Sequence, residues 1–449
     1  MAKDKSRLSD ELKEYGYVFS VKRTLMEYSL MCLGMIFLGR FFGLHLLPQI
    51  LLLLAGMALL PFLIRNAYRN RYFQQKFSDL NVYMEQFLYS FQNTRKVLTT
   101  LEDTAELFDE GKMKHTIQAA RDHILYTYNE ANFQEKGLGI LEENYPYPVL
   151  RMMHRFALRT EEIGGECKES VDLLLSARRM WADRVFSLQQ EKKIKRREVM
   201  MSIATSLLLC SMIYYMAGKM DLDVASHPVA QVMTIVVLVL DLLIYYRADK
   251  KLTAGYFAAK EKDDAMYVKQ YKRIQSYGNG PLARLGKRAA IRSVTRELKA
   301  KFPEWLMQLS LLMQSENVQV AIFKSYDSAP AILKPALSQL IGRLTINPND
   351  RKAYMEFLSD FTMPEVKSTM KMLLAIAEGS GGDERSQIAD IIRRNQKMQD
   401  EAARQKDKDS LAGMYALFLA PQLTGGLKLV VDMILLFVVY LGHMGTSLG

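Results

Sequence analysis

Cysteine, histidine and recognisable catalytic signatures are what this chain has least of. Its 449 residues include three cysteines and six histidines. Cys32, Cys167 and Cys210 are too few and too scattered for a disulfide framework or a zinc site. Cys32 and Cys210 fall inside apolar runs, where a packed thiol is the ordinary role. The histidines show no metal-ligand spacing, so neither a metal nor a cofactor is expected. No glycine-rich phosphate loop ending in Lys-Ser or Lys-Thr occurs, which excludes a nucleotide-driven motor of that kind. No Gly-x-Ser-x-Gly occurs either. The basic blocks have no aromatic residues interleaved, so they lack the stacking surface that single-stranded nucleic acid needs. The chain is not expected to be an enzyme, nor to bind nucleic acid.

What is present is apolar sequence in long runs, set between charged regions. Nearly half of the residues are hydrophobic (49%) and a quarter are charged (24%). That mixture suits membrane segments alternating with sizeable soluble regions. Two apolar runs, Leu25 to Leu44 and Leu46 to Ile64, are separated by His45, and each approaches the ~20 residues that a helix needs to cross the hydrocarbon core. The first contains Glu27 and Arg40. The first run has no small-residue cleavage site and is followed at once by another, so a removed signal peptide is not expected. Val199 to Ala217 and Val229 to Tyr246 make a second pair. Leu411 to Leu441 closes the chain, interrupted by Pro421 and Gly425-Gly426. It reads as one span near Gly426 to Gly442, with two half-spans as the alternative. Before all of these, Met1 to Arg23 reads as either a short surface helix or a frayed terminus.

The net charge of +11 is concentrated beside these runs, at Lys22-Arg23, Arg65 to Lys76, Lys192 to Arg197, Arg247 to Lys251 and Arg404 to Lys408. By the positive-inside rule, the N-terminus and both soluble regions face the cytoplasm. Five spans then put the C-terminus outside.

The soluble regions carry a helical stripe. Phe77, Leu80, Met84, Phe87, Leu88 and Phe91 recur at helical spacing, and Phe302, Trp305, Leu306, Leu309, Leu312 and Met313 repeat the pattern. A second helix follows each stripe, over Val97 to Leu107 and over Val318 to Ser328. Asn144 to Pro148 breaks the first region, and Pro330, Pro335 and Asn347-Pro348-Asn349 punctuate the second. Each region then ends on the same phrase. One copy is RFALRTEEIGGECKESVDLLLSARRM, from Arg155 to Met180. The other is MKMLLAIAEGSGGDERSQIADIIRRNQKM, from Met370 to Met398. Each is an apolar helical face, then acid, then glycines, then an arginine-rich amphipathic helix. The expected layout is a cytoplasmic segment (1–24), a membrane hairpin (25–64), a helical domain (65–198), a second hairpin (199–247), a second helical domain (248–410) and a C-terminal membrane segment (411–449). The fold class is an all-α integral membrane protein with two antiparallel helical bundles in tandem and about five transmembrane helices.

Two helical units, each ending in an acid–glycine phrase beside membrane helices, resemble the platform proteins of type IV pilus and type II secretion machines, with their duplicated F-type domain. The match lies at Glu161, Glu162, Gly164 and Gly165 in the first copy, and at Glu378, Gly379, Gly381 and Gly382 in the second. The leading hairpin resembles the Tad (tight adherence) branch. Where that family often has a glycine between the first two helices of a unit, this chain has Asn93-Thr94-Arg95 and Glu316-Asn317. The asparagines are the residues expected to supply those turns. The resemblance implies a protein without enzymatic activity, multi-pass in the inner membrane at the base of a pilus-like filament. It implies a hexameric cytoplasmic secretion ATPase, pilin-like subunits and other copies of the chain as partners, with ATPase motion passed on to the pilins.

Several residues admit two readings. Glu162 and Glu378 are either contacts that respond to the ATPase or acids that favour the positive end of the following helix. The glycines serve positive φ and close approach at the turn. Asp241 and Asp432 lie in or beside membrane runs, where an acid is a functional candidate by default. The structural alternative pairs Asp432 with Lys428 and leaves Asp241 partly solvated near Arg247. A membrane transporter or channel built on these two acids is the competing function, and a receptor-like scaffold is a third. Ser380 to Asp383 superficially resembles the GxGD of membrane aspartyl peptidases, but it lacks the first glycine and sits in polar sequence.

Overall fold

The computed structural model describes residues 21–164, 167–253, 262–275, 281–314, 316–348, 350–379 and 384–447. The N-terminal segment to residue 20, Gly165, the linker at 276–280, and Gly381 and Gly382 lie outside the described residues. Sixteen helices and no strands make up the described residues. In chain order the first eight are α1 (Val21–Phe41), α2 (Leu46–Thr94), α3 (Val97–Glu106), α4 (Lys112–Tyr126), α5 (Phe133–Asn144), α6 (Pro148–Ile163), α7 (Lys168–Lys219) and α8 (Pro228–Leu252). The remainder are α9 (Lys262–Gln275), α10 (Pro281–Leu312), α11 (Val318–Ser325), α12 (Lys334–Ile346), α13 (Arg351–Met355), α14 (Pro364–Ala377), α15 (Glu384–Leu411) and α16 (Met414–Ser447). The chain falls into two compact units. Residues to Asp79, Asp183–Tyr256 and Ser410–Gly449 form the first, and Leu80–Ala182 with Phe257–Asp409 form the second.

The first unit is the apolar one. Four helices, α2, α7, α8 and α16, are long and apolar enough to cross a membrane. α1, with Glu27 and Arg40 inside it, is not among them. Their outer faces expose large apolar side chains, with Leu208 69% and Leu423 72% exposed. Water would penalise that surface at roughly 25 cal/mol per Å², whereas hydrocarbon does not. Between α1 and α2 the chain turns at Gly43 (φ +62°). Gln231 of α8 holds this turn. Its carbonyl accepts from the His45 N–H at 2.9 Å, and its amide donates to the carbonyls of Gly43 at 2.8 Å and Ala225 at 2.6 Å.

Two helices run unbroken through apolar and polar sequence. The edges placed near residues 64 and 198 are not helix ends, because α2 and α7 run straight through them. No glycine occurs between Arg65 and Thr94 or between Lys168 and Ala217, and no proline occurs in either stretch, so nothing stops the helix when the side chains turn polar. α7, at 52 residues, is about 78 Å long at 1.5 Å per residue. The C-terminal run is likewise one helix, not two half-spans. α16 passes through Pro421, Gly425 and Gly426 without a break. The Thr424 hydroxyl donates to the carbonyls of Ala420 and Pro421 at 3.2 and 3.0 Å.

The second unit contains two successive runs of helices in similar order. The end of α2, then α3, α4, α5, α6 and the start of α7 are matched in order by the end of α10, then α11, α12, α13, α14 and α15. In the first copy α3 packs on α4 and α6, and α5 on α6; in the second α11 packs on α12 and α15's predecessor α14, and α13 on α14. Leu80, Met84, Phe87, Leu88 and Phe91 are buried, as are Phe302, Trp305, Leu306 and Leu309. The cluster around Trp305 is drawn wholly from residues after 266. Helices α5 and α12 were not anticipated. Gly137 permits α5, since a Cβ there would lie 2.6 Å from Ile124 of α4. α12 opens with Pro335 in its first turn, where the missing N–H costs nothing.

Gly164 and Gly379, the described glycines of the two phrases, take up the left-handed backbone. Gly164 has φ +77° and Gly379 has φ +64°, and nothing lies within 4 Å of where a Cβ would be at either position. Gly164→Ala and Gly379→Ala are therefore each expected to lose ~1–2 kcal/mol through backbone strain. Gly342→Ala, inside α12 with equally open space, is expected to be neutral or to gain up to ~1 kcal/mol. Denaturant midpoints check this. A second expectation concerns Asp79, whose carboxyl is raised from 3.8 to about 6 by burial, against a hydrogen bond from Gln75. The folded chain holds this proton to higher pH than the unfolded chain does. Stability falls as pH rises through that window and levels off above it. Melting temperatures between pH 4 and 7 should show this decline, and it should be smaller in Asp79→Asn.

Candidate functional site

Two places bring together the residues singled out by chemistry. The first is the pair of acid–glycine turns in the second unit. Glu161 and Glu162 lie in the last turn of α6, so neither sits at the start of the helix after the glycines. Glu162 is exposed to solvent. Glu161 reaches across to α3, where its carboxylate accepts from the Val97 N–H at 3.0 Å. The residue before α3, Lys96, provides no side-chain cap, so Glu161 satisfies a first-turn donor from 64 positions along the chain. The cap is therefore Glu161 acting at long range, not Glu162 acting on the following helix.

The second copy solves the same problem differently. Asn317 precedes α11, and its side-chain oxygen accepts from the Val320 N–H at 2.9 Å. With that helix capped locally, Glu378 at the end of α14 takes a bidentate grip from Arg351 of α13, at 2.6 and 2.9 Å. Arg351 holds the Glu378 carboxyl below its ordinary range, chiefly through that hydrogen bond. In the first copy Asn93 stays helical, and Arg95 takes the left-handed conformation at φ +54°. The asparagine expected to turn the chain there does not do so.

An ion pair joins the two copies. Arg159 of α6 donates to Glu316 at 2.5 Å, and Lys324 donates to the same oxygen at 2.7 Å. The Ser170 hydroxyl donates to Gln314 nearby in sequence. Within the first copy, His154 is fully buried between Tyr83 and Glu142, 3.0 Å from each. Burial first, and the Glu142 charge second, push the Tyr83 phenol well above its usual range. Neither arrangement had a signal in the sequence, because each depends on residues that lie far apart in the chain.

The second place is inside the first unit, among α7, α8 and α16. Lys428 and Asp432, one turn apart on α16, form the ion pair that their spacing suggested. Both are buried, at 1% and 0% exposure. The Lys428 ammonium also donates to the Tyr214 hydroxyl at 2.9 Å and lies 4.6 Å from the centre of its ring. Tyr214 continues to Thr234 of α8 at 3.2 Å. Gly425 makes the crossing close: a Cβ there would be 2.0 Å from the Ser206 hydroxyl. The Cys210 thiol lies 3.6 Å from the Gly425 carbonyl. Asp241 departs from its expected place. It is 3% exposed and not partly solvated, and neither of its carboxylate oxygens meets a hydrogen-bond donor among the described residues. Among the described residues no group of three or more His, Cys, Asp or Glu is arranged to hold a metal ion.

No family model, no curated protein and no solved structure matches this chain.

The turn geometry separates two neighbouring acids. Glu161→Ala removes the acceptor from the first turn of α3 and is expected to cost ~1 kcal/mol, as other lost caps do. Glu162→Ala removes an exposed carboxylate and should stay within ~0.5 kcal/mol of wild type. Chemical denaturation of the two variants side by side checks the difference.

Proposed function

We propose that this chain is a membrane platform, the assembly scaffold of a type IV pilus-like, Tad or type II secretion machine. In this reading it couples a cytoplasmic hexameric ATPase to the insertion of pilin-like subunits into the membrane, or to their extraction. The observation that carries the reading is the double occurrence of one helical run, each copy ending in a glycine turn and then a long helix that leads to an apolar segment. α7 continues directly into its own apolar part, and α15 is followed by α16 after the turn at Ala412 and Gly413. A duplicated, membrane-tethered helical unit gives two comparable surfaces to a soluble partner. It also gives unbroken helices along which a displacement can pass.

The basic blocks support the topology. They put the N-terminus and both helical copies in the cytoplasm, with α1 as a fifth span and the C-terminus outside. The membrane is then the inner membrane, and the partners are the ATPase, pilin-like subunits and other copies of the chain. Glu162, exposed and structurally idle, is the acid best placed to touch a partner, whereas Glu161 is occupied in holding α3. A second reading, a transporter or channel using Asp241 and Asp432, is favoured by the unpartnered carboxylate of Asp241. The Lys428 pair weakens it, because Asp432 is already neutralised within its own helix.

The test is association in membranes. The full chain, extracted with mild detergent, is expected to co-elute with the secretion ATPase of its host, and Glu162→Ala should reduce that association without lowering the melting temperature. Two intact proteins that elute apart would overturn the platform reading.

A further inference from the structure

We propose that Asp241 is a proton-binding site inside the membrane helices, set apart from the neighbouring Lys428–Asp432 pair. The inference needs only the membrane-spanning helices and is independent of the platform reading. It begins from an asymmetry between two buried acids. Asp432 has a cation one turn away on its own helix, and that cation is further held by Tyr214. Asp241 is buried to a similar degree and has no such partner among the described residues. The two acids lie on helices that pack together, α8 and α16, with Cys210 of α7 at 3.6 Å from the Gly425 carbonyl of α16.

The groups that face this neighbourhood are few. α7 contributes Ser206, Cys210 and Tyr214, and the buried Ser206 hydroxyl likewise has no hydrogen-bond partner among the described residues. α16 contributes Lys428 and Asp432. α8 itself contributes Thr234, two turns before Asp241, Tyr245, one turn beyond it, and Asp249, two turns beyond it, which is engaged by Arg196 and Asn66. α1 and α2 pack with Cys210 and Leu238 through Met35, Phe42, Leu44 and Leu52, and α2 has no ionisable side chain between Leu46 and Ile64. The ionisable residues of α1 are Lys22, Arg23, Glu27, Tyr28, Cys32 and Arg40. Of the cations shown paired here, Lys428 is committed to Asp432 and Arg196 to Asp249. Among the described residues no counter-charge and no hydrogen-bond donor engages either Asp241 oxygen, and a low-dielectric interior does not sustain an ionised carboxylate left so. A proton supplies both: it removes the charge and turns one oxygen into a donor. A metal cation would need several oxygen ligands, and no such group of ligands is present among the described residues.

The proposal is tested with a hydrophobic carbodiimide, which reacts with protonated carboxyls in apolar surroundings. The full chain in lipid nanodiscs is treated between pH 6 and pH 9, and adducts are located by mass spectrometry. The expected result is an adduct on Asp241 that falls several-fold toward pH 9, is absent in Asp241→Asn, and has no counterpart on Asp432. Lys428→Met, which frees Asp432, should bring an adduct there and so shows that the reagent reaches the neighbourhood. A labelled Asp432 in Lys428→Met together with an unlabelled Asp241 would overturn the proposal. Melting temperature gives a readout independent of the reagent. If the folded helices hold the proton, stability is greatest at low pH and declines as pH rises, and Asp241→Asn should remove that part of the decline. Equal pH slopes in wild type and Asp241→Asn would also overturn it.

Discussion

Inside a bilayer the backbone can bond only to itself, and the rest of this structure depends on that constraint. It forces every crossing segment to be helical from end to end. In this chain the helices do not stop where the apolar sequence stops. α2 and α7 continue for many turns past their apolar parts, because the residues that follow are good helix formers without a glycine or proline. The switch from lipid to water is therefore made by side chains on an unbroken backbone. The long outer faces of leucine and phenylalanine and the arginine- and lysine-rich stretches that follow them are two halves of the same helices.

The two helical runs meet one local need by different chemistry. Both copies must satisfy the first-turn donors of a short helix that follows a tight turn. One copy borrows a carboxylate from a remote helix, Glu161. The other uses a local asparagine, Asn317. That difference releases Glu378 to bind Arg351 on the surface. The two acids of the repeated phrase are thus not equivalent, although the phrase looks the same in both places. The glycines are more alike, since Gly164 and Gly379 both meet the same backbone requirement with no steric demand on the side-chain space.

The polar groups among the membrane helices follow a different rule. There, each charge needs a specific partner, because water is not available to share the cost. Lys428 and Asp432 meet that rule within one helix, with Tyr214 as a further acceptor and a ring face for the cation. Gly425 brings α16 close enough to α7 for this to happen. Asp241 is the exception that makes the region chemically distinctive.

Much was legible before any coordinates. The apolar runs, the helical stripes at Phe77 to Phe91 and Phe302 to Met313, and the glycine turns follow from hydropathy, periodicity and backbone preference, which are local properties. The Lys428–Asp432 pair was legible for the same reason, since four residues make one helical turn. Other features waited for the tertiary structure. Whether Pro421 breaks α16, whether Glu161 or Glu162 caps a helix and which helix that is, and whether Asp241 finds a partner all depend on what another helix brings alongside. Spacing along the chain carries no information about that, because hydrogen bonds and desolvation act over a few ångströms of space while these groups are tens to hundreds of residues apart.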